Sequence, residues 1–141
     1  LDGGESAYFL AEVFDGLTAI FGKIGVQRID ADFATLIRVL VILAFTAVLV
    51  LFRGSAQPLA SIPTRTYTFL ALSGFATGAS WLCYYRALQL GPASRVAPID
   101  KLSVVLVALF GVFLLGETLT LKNWLGVAMV AGGALLVSLK T

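Results

Sequence analysis

Residues 33–52 read FATLIRVLVILAFTAVLVLF, an apolar run whose one charge is Arg38. A helix rises 1.5 Å per residue, so about twenty residues match the ~30 Å hydrocarbon core of a bilayer. Stretches of similar length and character recur at Ala7–Val26, Tyr67–Leu90, Val96–Leu115 and Leu121–Leu139, divided by short polar punctuation. A soluble chain of 141 residues cannot hide five such segments, because each helix would need a polar face toward water. The expected fold is all-α: a polytopic integral membrane protein, a bundle of five transmembrane helices.

Composition agrees and narrows the chemistry. Hydrophobic residues make up 59% of the chain and charged ones 13%, where soluble proteins average about a quarter charged. The net charge of +2 is too small and too dispersed for a nucleic-acid partner. The absence of histidine excludes imidazole metal sites and histidine proton relays, and a lone Cys83 excludes an intrachain disulfide or a cysteine zinc cluster. Cys83 itself reads as a small buried hydrophobe. No metal and no cofactor is expected, and no nucleophile–base pair marks an enzyme. Gly16–Lys23 has the look of a phosphate loop, but the spacing is one residue too long and Ile24 stands where Ser or Thr is needed. Chemistry is left to carboxylates, Lys/Arg, hydroxyls and aromatics.

Residues 1–6 read as a linker, 7–139 as one transmembrane domain and 140–141 as a tail. The opening on Leu1 rather than Met reads as a trimmed start. With Asp2 and Glu5 ahead of it, the first stretch lacks the basic flank of a signal peptide and reads as a retained helix. Connections are short: Gln27–Asp32, Arg53–Thr66, Gly91-Pro92 and Gly116–Thr120. Five spans put the termini on opposite sides. Loop charges then balance, Arg53, Arg65 and Lys122 against Arg28, Arg95 and Lys140, while helix-borne charges tip the count toward a C-terminus inside. Such a balance fits a chain that inserts in both orientations, and fits chance as well.

Ionisable groups within spans cost at least ~2.5–3.5 kcal/mol at the bilayer centre, so each is a functional candidate. Glu12 and Asp15 lie at i and i+3 on one face of helix 1, a face that continues through Ala19 and Gly22. Two close carboxylates in low dielectric resist joint ionisation, which suits proton or cation coupling. The alternative places both in the headgroup region. In helix 4, Pro98 frees the carbonyl of Ser94, and Asp100-Lys101 follow directly. Neighbouring helical residues point about 100° apart, so partners are expected on other helices. Arg38, Arg86, Glu12 and Asp15 are the candidates. The pair reads either as a substrate element or as a structural ion pair locking helix 4.

Helix 3 carries a hydroxyl line, Ser73, Thr77, Ser80 and Tyr84, beside a stripe of Gly74, Gly78, Trp81 and Tyr85. The first reads as a cavity wall or as hydroxyls bonded back to i−4 carbonyls. The aromatics fit substrate contact or an interfacial belt. Gly74-x-x-x-Gly78 is a helix-packing motif, and Gly126 and Gly132 make helix 5 a packing or oligomer helix.

Several motifs together resemble the EamA unit of the drug/metabolite transporter superfamily: Ala87-Leu88, Ala93-Ser94, Val96-Ala97-Pro98, Leu115-Gly116-Glu117, Leu119-Thr120 and the Gly126/Gly132 pair. The run Trp81–Leu88, the block Ala97–Ser103 and Gly16–Gly25 look like its five-helix bacterial subgroup. Ala11-Glu12-Val13 is instead similar to the opening of the small multidrug resistance family, whose first-helix glutamate binds protons and cationic drugs. Counted back from Lys23, Asp15 lands nearer that glutamate's place than Glu12 does. The resemblance implies one half of an inverted-repeat carrier, hence an inverted homodimer or a pairing with a sister five-helix subunit in the bacterial inner membrane. Its site would lie near the midplane.

The expected function is a secondary transporter moving a small organic solute, with proton coupling. Glu12 and Asp15 would take the proton, and Ser73, Thr77, Ser80, Trp81, Tyr84, Asp100 and Lys101 would meet the substrate. The contrasting reading is a non-transporting scaffold or accessory subunit of a heteromer, its charges serving as structural ion pairs.

Overall fold

The computed structural model describes residues 3–139. Six helices follow in order: α1 Gly3–Gly25, α2 Ala31–Arg53, α3 Thr64–Leu90, α4 Ala93–Asp100, α5 Ser103–Leu115 and α6 Leu121–Ser138. A single 3-10 turn, Leu59–Ser61, sits between α2 and α3, and no strand occurs among the described residues. The expected tail at 140–141 and the first two linker residues lie outside the described residues; helix already begins at Gly3, ahead of the first apolar stretch.

Three stretches are by themselves long and apolar enough to cross a membrane: Ala31–Arg53, Ala93–Leu115 and Leu121–Ser138. The second is α4 and α5 taken together. With 23 and 27 residues, α1 and α3 reach spanning length as well, about 35 and 40 Å at 1.5 Å per residue. Large apolar side chains cover the outside of the chain, Phe113 and Phe75 at 78% and 79% exposure among them. Water would not tolerate a surface of that kind, but hydrocarbon wets it. The fold is an all-α, polytopic membrane protein, five spans in six helical pieces. Cys83 belongs to the same exterior: it is exposed rather than buried, because a small thiol is as much at home against lipid as in a core.

Helix ends follow local chemistry. Asp30 caps α2, its Oδ1 accepting from the Asp32 and Phe33 amides at 2.9 and 3.2 Å. Thr120 caps α6 by accepting from the Asn123 amide. The helix stops use the left-handed conformation that a side chain disfavours: Gly54 at φ 61° after α2 and Gly116 at φ 69° after α5. Past Gly116 the chain turns back, so that the Glu117 amide donates to the Gly111 carbonyl at 3.0 Å and its carboxylate covers Gly111. The Tyr67 hydroxyl donates to the Leu59 carbonyl at 2.6 Å and holds the 3-10 turn against the start of α3.

Span four starts at Ala93, directly after Pro92 as the Gly91-Pro92 stop requires, and departs from the expected single helix by breaking at Lys101-Leu102. Pro98 lies within α4 and, lacking an N–H, leaves the Ser94 carbonyl without its i+4 partner; the break itself lies in the turn after it. Lys101 N donates to Pro98 O, Leu102 N to Ile99 O, Val104 N to Lys101 O and Val105 N to Leu102 O, at 2.9–3.1 Å. All four bonds reach three residues back instead of four, the 3-10 pattern.

The chain divides into two compact groups: α1 as far as Lys23 together with everything from Leu90 on, and residues 24–89, which hold α2 and α3. In the first, α6 packs on α4 and α5. In the second, Val26 and Leu88 are fully buried, and Ala31, Ala34, Thr35 and Tyr85 are nearly so.

The glycine stops yield the first prediction. Gly54→Ala and Gly116→Ala should each cost about 1–2 kcal/mol, the penalty of placing an L-residue in left-handed backbone. Gly16→Ala, in open helical backbone with nothing within 4 Å of the added methyl, should cost nothing. Thermal unfolding in detergent micelles reads the contrast.

Candidate functional site

The break in span four carries the first cluster. Lys101, at the C-terminal end of α4, sends its Nζ to 2.5 Å from Asp15 Oδ2 and 4.0 Å from Glu12 Oε2. The i, i+3 spacing on α1 sets both carboxylates on the side that meets Lys101. The same face goes on to bury Ala19 and Gly22, the two small residues of the sequence reading. Asp15 makes the close charge-assisted bond and Glu12 the looser contact, so the two acids are not equivalent. Of the partners expected for Asp100 and Lys101, the structure selects Glu12 and Asp15, and for Lys101 alone. Asp100 is exposed and forms no ion pair among the described residues. On the same group, Lys23 Nζ donates to the Gly91 carbonyl at 2.8 Å, tying α1 to the Gly91-Pro92 corner.

The second cluster lies between α2 and α3. Arg38 places its guanidinium carbon 4.6 Å from the centroid of Trp81 and 5.0 Å from that of Tyr85. Trp81 and Tyr85 are four residues apart on α3, so both rings face the same neighbour. Tyr84 stands beside Tyr85 with ring centroids 6.4 Å apart. Toward the end of the span, Arg86 lies 3.7 Å from Asp32, and Gln89 Nε2 donates to the Val26 and Ile29 carbonyls at 2.9 and 2.6 Å. Thr77 is half-buried, and Ser73 and Ser80 are exposed on α3. Back-bonding to the i−4 carbonyl is made by Thr35, Thr46 and Thr68.

The sequence reading named Glu12, Asp15, Lys101 and Trp81, and the structure gives each of them a charged or aromatic partner. It named Arg38 and Arg86 only as spare partners for span four and missed what they touch. The signal was present: an in-span arginine and an i, i+4 aromatic pair on the next helix. Among the described residues, a methyl added at Gly74, Gly78, Gly126 or Gly132 would find nothing within 4 Å. Among the described residues, no group of three or more acidic, Cys or His side chains gathers as metal ligands do.

These features define the class as a polytopic all-α membrane protein with ion pairs on its helices. Residues 3–139 match the EamA-like transporter family, and the chain belongs to that family. It is 60% identical over 129 residues, 92% of either chain, to an uncharacterized transporter in the cobO 3′ region of a Sinorhizobium species. It is 38% identical over 82 residues, 58% of this chain and 72% of the relative, to the probable 4-amino-4-deoxy-L-arabinose-phosphoundecaprenol flippase subunit ArnE of Yersinia pestis. The subunit of the same name in Yersinia pseudotuberculosis matches equally, at 38% over 82 residues. No solved structure matches the chain. A membrane transport role follows from this membership, as do a lipid environment and a multi-pass topology.

The unequal distances in the first cluster predict unequal energies. In a double-mutant cycle read by thermal unfolding, Asp15→Asn and Lys101→Met should couple by about 1 kcal/mol, the upper end for accessible pairs. Glu12→Gln and Lys101→Met should couple by less than half of that. Equal coupling for the two acids would contradict the geometry.

Proposed function

We propose that this chain is one subunit of a proton-coupled secondary transporter that moves a small organic solute across the bacterial inner membrane. It works as an inverted dimer, with a second copy or with a sister five-helix chain. The observation that carries the reading is Lys101 held by Asp15 and Glu12 at a break in a membrane span. A proton delivered to Asp15 cancels the charge that holds Lys101, and the interrupted helix is the element that moves in response. Broken spans beside charged groups serve this purpose in inverted-repeat carriers. Candidates for solute contact are Ser73, Thr77, Ser80, Trp81 and Tyr84 within residues 24–89 and, separately, Asp100 and Lys101 in the other group. The flippase relatives are named for an amino sugar, and an ammonium on the solute would compete with Lys101 for the same two carboxylates.

Gly74, Gly78, Gly126 and Gly132 support the dimer. Each leaves open backbone at which another helix can approach closely. Balanced loop charge supports an inverted partner, and the word "subunit" in the relatives' name supports a heteromer as the variant form.

The test is proton release from purified, detergent-solubilised protein as solutes are added, with amine-bearing solutes first. Wild type should release protons, Asp15→Asn should abolish the release, and Glu12→Gln should reduce it. Release unchanged in both variants removes the carboxylates from the coupling role. Silence of the wild type across a broad solute panel, with assembly lost in the variants, supports instead an accessory subunit with structural charges.

A further inference from the structure

We infer that Lys23 is the positioning residue of the coupling pair: by holding the Gly91 carbonyl it sets α4 along α1 so that Lys101 reaches Asp15. The inference deepens the transporter reading and rests on it for the role of Asp15. All the residues it uses lie in one compact group, α1 as far as Lys23 and the chain from Leu90 on.

The first support is the make-up of α4. It is eight residues long, bounded by the Gly91-Pro92 corner and by the break at Lys101-Leu102. Its N-cap is Pro92, which makes no side-chain capping bond. Neither end is continued by unbroken helix, so where α4 points is decided by what holds it from outside. α6 packs on it, but α6 carries no member of the coupling pair.

The second is where it is held. Lys23 Nζ donates to the Gly91 carbonyl at 2.8 Å, and Lys101 Nζ lies 2.5 Å from Asp15 Oδ2. Both bonds reach α1, one from each end of the short helix. On α1 the two ties are eight residues apart, about 12 Å, and the eight residues of α4 also rise about 12 Å. The lengths match, so fastening the Gly91 end in register brings the other end level with Asp15. Asp15, Ala19, Gly22 and Lys23 fall on one helical face, and Ala19 and Gly22, between the ties, are buried.

The third is the difference between the ties. Lys101 is held by carboxylates, whose charge a proton cancels, whereas Lys23 is held by a backbone carbonyl, which has no charge to lose. A proton on Asp15 therefore loosens the Lys101 end and leaves the Gly91 end fastened. When the proton leaves, α4 is still in register for Lys101 to return.

Dicyclohexylcarbodiimide, a lipid-soluble reagent, tests this placement without transport. It activates a carboxyl, and a neighbouring amine displaces the urea to form an amide, with net loss of one water from the protein. Protein in maltoside micelles is treated well below its unfolding temperature, and the Asp15–Lys101 cross-link is quantified by mass spectrometry of chymotryptic fragments. Wild type should cross-link, Lys101→Met should not, and Lys23→Met should give at least a fivefold lower yield. Lys23→Arg, which keeps N–H donors on a long chain, should come within twofold of wild type. Lys23→Gln replaces Lys23→Met if the latter does not fold, and should lower the yield at least threefold. A residue that merely stabilised the end of α1 would lower the unfolding temperature and leave the yield unchanged. A folded Lys23→Met or Lys23→Gln protein that cross-links like wild type overturns the inference. So does a Lys23→Arg yield as low as theirs, or a wild type with no cross-link. Proton release is measured separately: a wild type that cross-links but releases no proton removes the coupling reading and leaves the placement of Lys101 by Lys23 standing.

Discussion

Hydrocarbon contains no water, and every polar group carried into it must be answered from within the chain. That constraint orders the whole structure. Backbone amides and carbonyls are consumed in helices, and the ends left over are closed by Asp30, Thr120, Gly54 and Gly116. Side-chain charges obey the same rule: Lys101 meets Asp15, Arg86 meets Asp32, Lys23 meets a backbone carbonyl, and Arg38 meets two aromatic faces. Most of what is left for the exterior is apolar, with Ser73, Ser80 and Asp100 as polar exceptions.

Pro98 bends that rule at one place. The turn after it follows the 3-10 pattern and splits span four at the residue that carries its ammonium group, Lys101. Irregular backbone at membrane depth is tolerated where protein or a water-filled cavity covers it. Here the break and the ion cluster coincide at Lys101.

The two groups of the chain differ in their charge chemistry. Residues 24–89 use only arginine as their cation, set among aromatics and outnumbering the carboxylates. The group containing Lys101 sets an ammonium between two carboxylates on α1. A compact ammonium is a point charge that another cation or a proton can displace, whereas a planar guanidinium stacks on aromatic faces.

Five apolar lengths, their glycine and proline stops and the in-span charges were all legible in residue order, since length, periodicity and helix punctuation are local properties. Glu12 and Asp15 could be placed on one face because the helical period alone requires it. That Lys101 rather than Asp100 meets them was not legible. Adjacent helical residues point about 100° apart, and only the packed chain selects which one faces α1. The break after Pro98 was half legible: the lost bond follows from proline, but whether a helix bends or restarts depends on what its neighbours allow. Arg38 shows the same division. Its presence in a span is a fact of sequence, while its resting place on Trp81 and Tyr85 belongs to tertiary structure, because a contact between residues more than forty positions apart is set by which helices lie side by side.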